Sequence, residues 1–145
     1  MARMKQVYLI GSLRNKEVPV LGNWLRGQGV NVFDDWHAAG PEADDHWQAY
    51  ERARGHTYEQ ALAGAVAQNA FRFDKRHIDA SAAAVLVMPA GKSAHLELGY
   101  AAGAGKATAI LLVEDPDRFD LMYNFANLVT NDRARLATWL KETLK

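Results

Sequence analysis

The sequence predicts an α/β fold, a three-layer sandwich around a parallel, flavodoxin-like or Rossmann-like sheet of about four to five strands. Four short apolar runs, residues 7–10, 30–33, 83–88 and 108–113, have the length and β-branched content of strands buried on both faces. Longer segments with helical spacing separate them. Strands that alternate with helices join in parallel through right-handed crossovers, so both observations lead to the same architecture.

Each element has its own local signal. After the first run comes a turn over 13–16, and then Val18, Leu21, Trp24 and Leu25 recur on one helical face, with Gly27 or Gly29 as the stop. The second run opens onto residues 34–55, DDWHAAGPEADDHWQAYERARG, a polar and aromatic segment in which Pro41 is expected to open a short helix. It is long for a connection in a small domain, and such connections often carry function. Thr57 stands three residues before Gln60, the spacing of a capping box, and Tyr58, Ala61, Leu62, Ala65 and Val66 follow on one face. One long alanine-rich helix from about Tyr58 is the expectation. Ser93 is placed as the N-cap of a helix through Leu96, Glu97 and Tyr100 that stops at Gly103 and Gly105. The last helix, about 132–144, sets Leu136, Leu140 and Leu144 on one stripe.

Composition narrows the function classes. With 145 residues, no repeat and no linker, the chain reads as a single domain over 1–145. Seventeen Lys plus Arg balance seventeen Asp plus Glu, so no basic excess points to polymeric nucleic acid or an anionic membrane. The absence of cysteine excludes disulfides, a thiol nucleophile and Cys-based zinc. The five histidines lack H-x-x-x-H or H-E-x-x-H spacing, so no zinc site is expected; no cofactor is expected either. The apolar runs are too short to span a bilayer, and the opening Met-Ala-Arg-Met-Lys has no signal-peptide core, so the expected location is cytoplasmic.

Ligands of open α/β sheets sit beyond the carboxyl ends of the strands. Here those ends read Gly11-Ser12-Leu13-Arg14, Asp34-Asp35, Pro89-Ala90-Gly91-Lys92-Ser93 and Glu114-Asp115. The strongest local signal runs from Pro89 to Tyr100: a strand end, a glycine turn and a helix start with Glu97 in its first turns. Backbone N–H groups there can hold an anion, and the helix dipole would favour ionised Glu97. The same glutamate also fits a surface residue kept for helix stability. Gly91-Lys92-Ser93 is not a P-loop, because the required earlier glycine falls on Leu86, inside a strand. No G-x-S-x-G elbow is present.

Three segments carry a family resemblance. Tyr8-Leu9-Ile10-Gly11-Ser12-Leu13-Arg14, Phe73-Asp74 and His95-Leu96-Glu97-Leu98-Gly99-Tyr100-Ala101 together resemble the nucleoside 2-deoxyribosyltransferase family, which includes the 2′-deoxynucleoside 5′-phosphate N-hydrolases. The resemblance covers most of the chain in the right order, and Glu-Leu-Gly-Tyr-Ala is its most specific piece. It implies that Glu97 attacks C1′ of the sugar to form a glycosyl ester. It further implies that Asp74 supports proton transfer to the leaving base and that Tyr8 orients the glutamate. Carboxylates suit this chemistry, as nucleophile toward an oxocarbenium-like carbon and as proton carrier. Six residues before Glu97 the family's transferases carry aspartate and its hydrolases serine. This chain has Gly91, so the sugar contact passes to Lys92, Ser93 or backbone N–H groups. Gly11, Ser12 and Arg14 look like the hydrolase branch, whose loop meets a 5′-phosphate, and Arg14 offers the matching fork.

Each of these residues also has a plainer reading. Asp74 could pair with Lys75 or Arg76, Tyr8 could be core, and Arg14 could be solvated. Asp35 and Trp36, after the second strand, are placed with the substrate-binding residues. Trp36, Trp47, Tyr50 and Tyr58 read as a lid that stacks on a base, or equally as packing anchors. The segment 120–127 reaches a neighbouring subunit's pocket in the resembling family, which implies a homodimer or larger homo-oligomer with a shared site and brings in Met122 and Asn124, with Asp120 and Asn124 both standing near the family's amide position. The implied partner is a small-molecule nucleoside or nucleotide, cleaved by water or transferred to a second base. The alternatives are a nucleotide-sensing binding domain without catalysis and a flavodoxin-type electron carrier. The first loop lacks the Ser/Thr/Gly run of a flavin phosphate site, which disfavours the latter.

Overall fold

The structure, a computed structural model, describes residues 4–145. Five strands, β1 (Gln6–Ile10), β2 (Asn31–Phe33), β3 (Ala83–Val87), β4 (Ala107–Leu111) and β5 (Leu128–Thr130), form one parallel sheet in the order β2-β1-β3-β4-β5. This is the flavodoxin-like order. Its topological switch point lies between β1 and β3, where the loops leaving adjacent strand ends diverge and open a crevice.

Side-chain alternation assigns the two faces. Val7 and Leu9 of β1 point toward α1 (Glu17–Gly27) and α6 (Arg133–Thr143), together with Val85, Val87, Leu136 and Leu140. Tyr8 and Ile10 point the other way, toward α4 (Ala65–Asp79) and α5 (Lys92–Gly103), with Phe33, Leu86, Ile78, Leu98 and Ile110. Each fully buried Leu or Ile contributes about 1.5–3 kcal/mol, so two such layers hold the sheet.

Two glycines permit close approaches. A Cβ on Gly11 would stand 2.9 Å from Val18 Cγ2, too close for a carbon, so the β1 loop can lie this near α1 only if that valine side chain gives way or the position is glycine. A Cβ on Gly22 would collide with the Asp34 carboxylate. That buried acid closes β2 and accepts from Arg26 Nη2 at 2.5 Å.

Several expectations are corrected. The long helix from Tyr58 is two helices, α3 (Tyr58–Ala63) and α4, separated at Gly64, which is extended at ψ 165°. The Thr57 capping box forms in full, but glycine's poor helix propensity breaks the run seven residues later. Ser93 is not the N-cap of α5. Gly91 holds that position without a side-chain cap, and Ser93 is the helix's second residue. Pro41 does not open the helix in 34–55, which contains a 3-10 turn (Asp35–Ala39) followed by α2 (Ala43–Ala53). β3 stops at Val87, before Met88-Pro89, because Pro89 has no N–H for a ladder. Among the described residues no helix is long and apolar enough to cross a membrane.

Candidate functional site

Tyr8, Asp74 and Glu97 come from three elements and meet on one face of the sheet. Tyr8 lies in mid-β1, where it pairs with Phe33 of β2 and Ala84 of β3, and it is 1% exposed. Its ring stacks on Phe33 at 5.4 Å between centroids. Asp74 projects from α4 and Glu97 from α5, the two helices that cover this face, and both are half-buried.

Their electrostatics bind the three together. Burial first, and the neighbouring Asp74 charge second, push the Glu97 carboxyl up to about 8. Burial alone lifts Asp74 to about 6. The Tyr8 phenol is pushed well above its ordinary value, first by burial and then by the charges of Glu97 and Asp74, so it stays a neutral donor. No hydrogen bond contributes to any of the three shifts. The helix-dipole expectation for Glu97 is therefore overturned: it is the sixth residue of α5, beyond the first turn where the dipole acts, and desolvation wins.

The plainer readings separate in the same way. Lys75 bonds Asp79 at 2.9 Å and Arg76 lies over the Phe73 ring, so neither is Asp74's partner. Tyr8 is a core residue that also faces two carboxyls. Arg14 is exposed but not simply solvated, since its Nη2 meets Asp45 Oδ2 of α2 at 2.7 Å.

Above these groups, the loops after β1 and β3 are tied to each other. Arg14 N donates to Ser12 Oγ at 3.1 Å, and Asn15 Nδ2 donates to the Met88 carbonyl at 3.5 Å. Gly91, Lys92 and Ser93 form the exposed start of α5. His95 closes the turn from inside: Nδ1–H donates to the Gly91 carbonyl at 2.7 Å, leaving Nε2 to accept from the Tyr123 hydroxyl at 2.9 Å.

Of the other expected residues, Trp36 borders the β1 loop, its Cη2 lying 3.8 Å from where a Cβ on Gly11 would stand. Asp35 is exposed and opens the 3-10 turn. Trp36 is an anchor, not a lid: its Nε1 donates to the Leu9 carbonyl at 2.7 Å, and its ring packs against both core layers. Tyr50 and Tyr58 are exposed and Trp47 is half-buried. Met122 and Asn124 lie exposed in a second 3-10 turn (Leu121–Phe125), which reaches the core through Tyr123. Cavities of about 520 and about 460 Å³ flank that turn, and neither is lined by Tyr8, Asp74 or Glu97.

Three features of the site escape sequence reasoning. His77 stacks flat on Phe33 at 4.0 Å and meets Phe73 edge-on, extending the aromatic wall beside Tyr8. Its i+3 spacing from Asp74 on one helix was the available signal. The Arg14–Asp45 pair joins residues 31 apart, and His95–Tyr123 joins residues 28 apart. Neither leaves a local trace.

No family model matches the chain, and no curated protein does. Solved structures do. The 2-deoxyribosyltransferase of the psychrotolerant bacterium Bacillus psychrosaccharolyticus is 17% identical and aligns over 91% of this chain and 90% of its own, with a TM-score of 0.62. The CMP N-glycosidase of Clostridium botulinum is 16% identical over 94% of this chain and 99% of its own, with a TM-score of 0.52. At these identities the fold is what is shared.

Proposed function

We propose that the chain is an N-glycosidic-bond-cleaving enzyme of the nucleoside 2-deoxyribosyltransferase type, one domain over residues 1–145, acting on a (deoxy)nucleoside or its 5′-monophosphate. The observation that carries this reading is the convergence of Tyr8, Asp74 and Glu97 on one face of a 2-1-3-4-5 sheet, with two desolvated carboxyls of unequal proton affinity. The likeness of fold to a deoxyribosyltransferase and a CMP N-glycosidase supports it.

In the first step a carboxylate oxygen of Glu97 bonds to C1′ of the sugar, and the C1′–N bond breaks with its electron pair going to the base. Asp74 gives that base a proton. Tyr8, a buried neutral donor, orients the Glu97 carboxylate. Water then attacks C1′ of the glycosyl ester and frees Glu97, and its proton returns to Asp74. A second base in place of water makes the reaction a transfer. Desolvation makes ionised Glu97 more reactive than a hydrated carboxylate, since less water must be stripped from it. Incubation with nucleosides, deoxynucleosides and their 5′-monophosphates, with and without an acceptor base, tests the reading by chromatography of released base. Release from none of them overturns it.

The β1 loop and the start of α5 are assigned to the sugar phosphate: Gly11 and Ser12 by backbone, Arg14 by its guanidinium, and Gly91, Lys92 and Ser93 by charge and free N–H groups. Arg14→Ala is expected to weaken a 5′-monophosphate at least about tenfold while leaving the matching nucleoside nearly unchanged, because a charge-assisted fork is lost that the nucleoside never used. Calorimetric titration of both ligands checks this. Equal losses for both would remove phosphate from this loop.

A homo-oligomer with a shared site completes the proposal. Leu96 and Phe125 are each about three-quarters exposed, Leu121 and Met122 are more than half exposed, and the formal net charge is zero. Side chains that covered only their own sheet would be buried. Apolar exposure without charge repulsion favours self-association and would bring Met122 and Asn124 toward a neighbour's carboxyls. Light scattering of active protein is expected to give a multiple of 16.1 kDa, with activity lost on dilution. A fully active species of chain mass overturns the shared site.

A further inference from the structure

Resting on that reading, we propose that Asp45 is a built-in competitor for the phosphate fork, and that it sets how strongly the enzyme prefers nucleoside 5′-monophosphates over nucleosides. Arg14 Nη2 meets Asp45 Oδ2 at 2.7 Å, so the free guanidinium already holds a carboxylate where a phosphate oxygen would sit. Both partners are more than half exposed, which leaves the pair open to exchange with a solvent-borne anion.

Asp45 belongs to the first turn of α2, next to Asp44, where the helix N-terminus favours acidic side chains whether or not Arg14 is present. It therefore has a stable place to go when Arg14 is taken. A phosphate dianion that binds Arg14 must displace this carboxylate and then lie near it, and both effects weaken binding. A nucleoside brings no anion, so it leaves the Arg14–Asp45 pair intact.

The pair also fastens α2 to the β1 loop. Glu51 is the only buried residue of α2, and its Oε2 meets His56 Nδ1 at 2.5 Å within the same segment. Trp36 and His37 hold the preceding turn, through the Leu9 carbonyl at 2.7 Å and the Asn15 carbonyl at 3.0 Å. The front end of α2 is thus joined to the loop by Asp45, while the turn before it keeps two bonds of its own. Exchange of the Arg14 partner can then proceed without unfolding the helix.

The test is a double-mutant cycle read by calorimetric binding of a nucleoside 5′-monophosphate and its matching nucleoside to the wild-type chain, Asp45→Asn, Asp45→Glu, Arg14→Ala and Arg14→Ala/Asp45→Asn. Exposed ion pairs of this kind are worth up to about fivefold, and relief of repulsion adds to that, so Asp45→Asn is expected to tighten the monophosphate about three- to tenfold. The nucleoside should not move. Asp45→Glu restores the wild-type ratio, and the gain shrinks to the part owed to repulsion alone when Arg14 is absent. Unchanged or weaker monophosphate binding by Asp45→Asn overturns the proposal, as does a gain that is undiminished without Arg14. Failure of the enzymatic reading would appear separately, as no base release by the wild-type chain.

Discussion

Glu97→Gln is expected to lower base release by at least about a thousandfold while nucleotide affinity stays within about tenfold. The amide keeps the size and shape of the side chain but cannot form the bond to C1′, so what is lost acts on the reacting carbon rather than on the bound ground state. A slow 2-fluoro substrate should leave one sugar unit on the wild-type chain at Glu97 and none on the variant, as read by mass spectrometry. Near-wild-type turnover would remove Glu97 as nucleophile. Stability supplies a control for folding. The Glu97 carboxyl sits higher in the folded chain than in the unfolded one, so the folded state holds the extra proton and loses stability as pH rises toward and through about 8. Removing the titrating group should therefore leave the variant at least as stable as wild type at pH 9, measured by thermal unfolding.

The sheet is legible where burial is complete. All five residues of β3 are buried on both faces, and such a run has few other readings. β5 has three residues with an exposed middle one, a pattern too short to separate from a loop. Its place is set instead by distant bonds, such as Asn127 Oδ1 accepting from Thr108 N at 2.9 Å. The same divide runs through the site. Glu97, Asp74 and Tyr8 are visible as residue types on two helices and a strand, but the protonation of Glu97 is not. The dipole argument uses only the helix that carries it, whereas its proton affinity is set by packing against another helix and a strand. The role of Asp45 is hidden for a related reason: an ion pair between a loop and a helix that α1 and β2 separate in sequence has no period and no motif.

The unequal carboxyls predict a bell-shaped pH dependence of kcat/KM, with limbs near 6 and 8. Below about 6 both Asp74 and Glu97 are protonated and the nucleophile is lost; above about 8 both are ionised and the leaving base has no proton donor. Between the limbs the pair shares one proton. The reactive arrangement, Glu97 ionised and Asp74 protonated, has the same total charge as its reverse, so its population rises and falls with the pair as a whole whichever carboxyl holds the proton more tightly at rest. Each unit beyond a limb should cost about tenfold, which gives roughly thirtyfold between pH 7 and pH 4.5. Asp74→Asn changes the shape as well as the height. It removes the proton donor, and it removes a charge that raises Glu97, so a slower enzyme with a single rising limb below pH 8 is expected. Initial rates at low substrate for both proteins between pH 4.5 and 9.5 decide the matter: a wild-type profile flat from pH 5 to 9 would separate these carboxyls from the chemistry, and a retained alkaline limb in Asp74→Asn would assign the proton to another group.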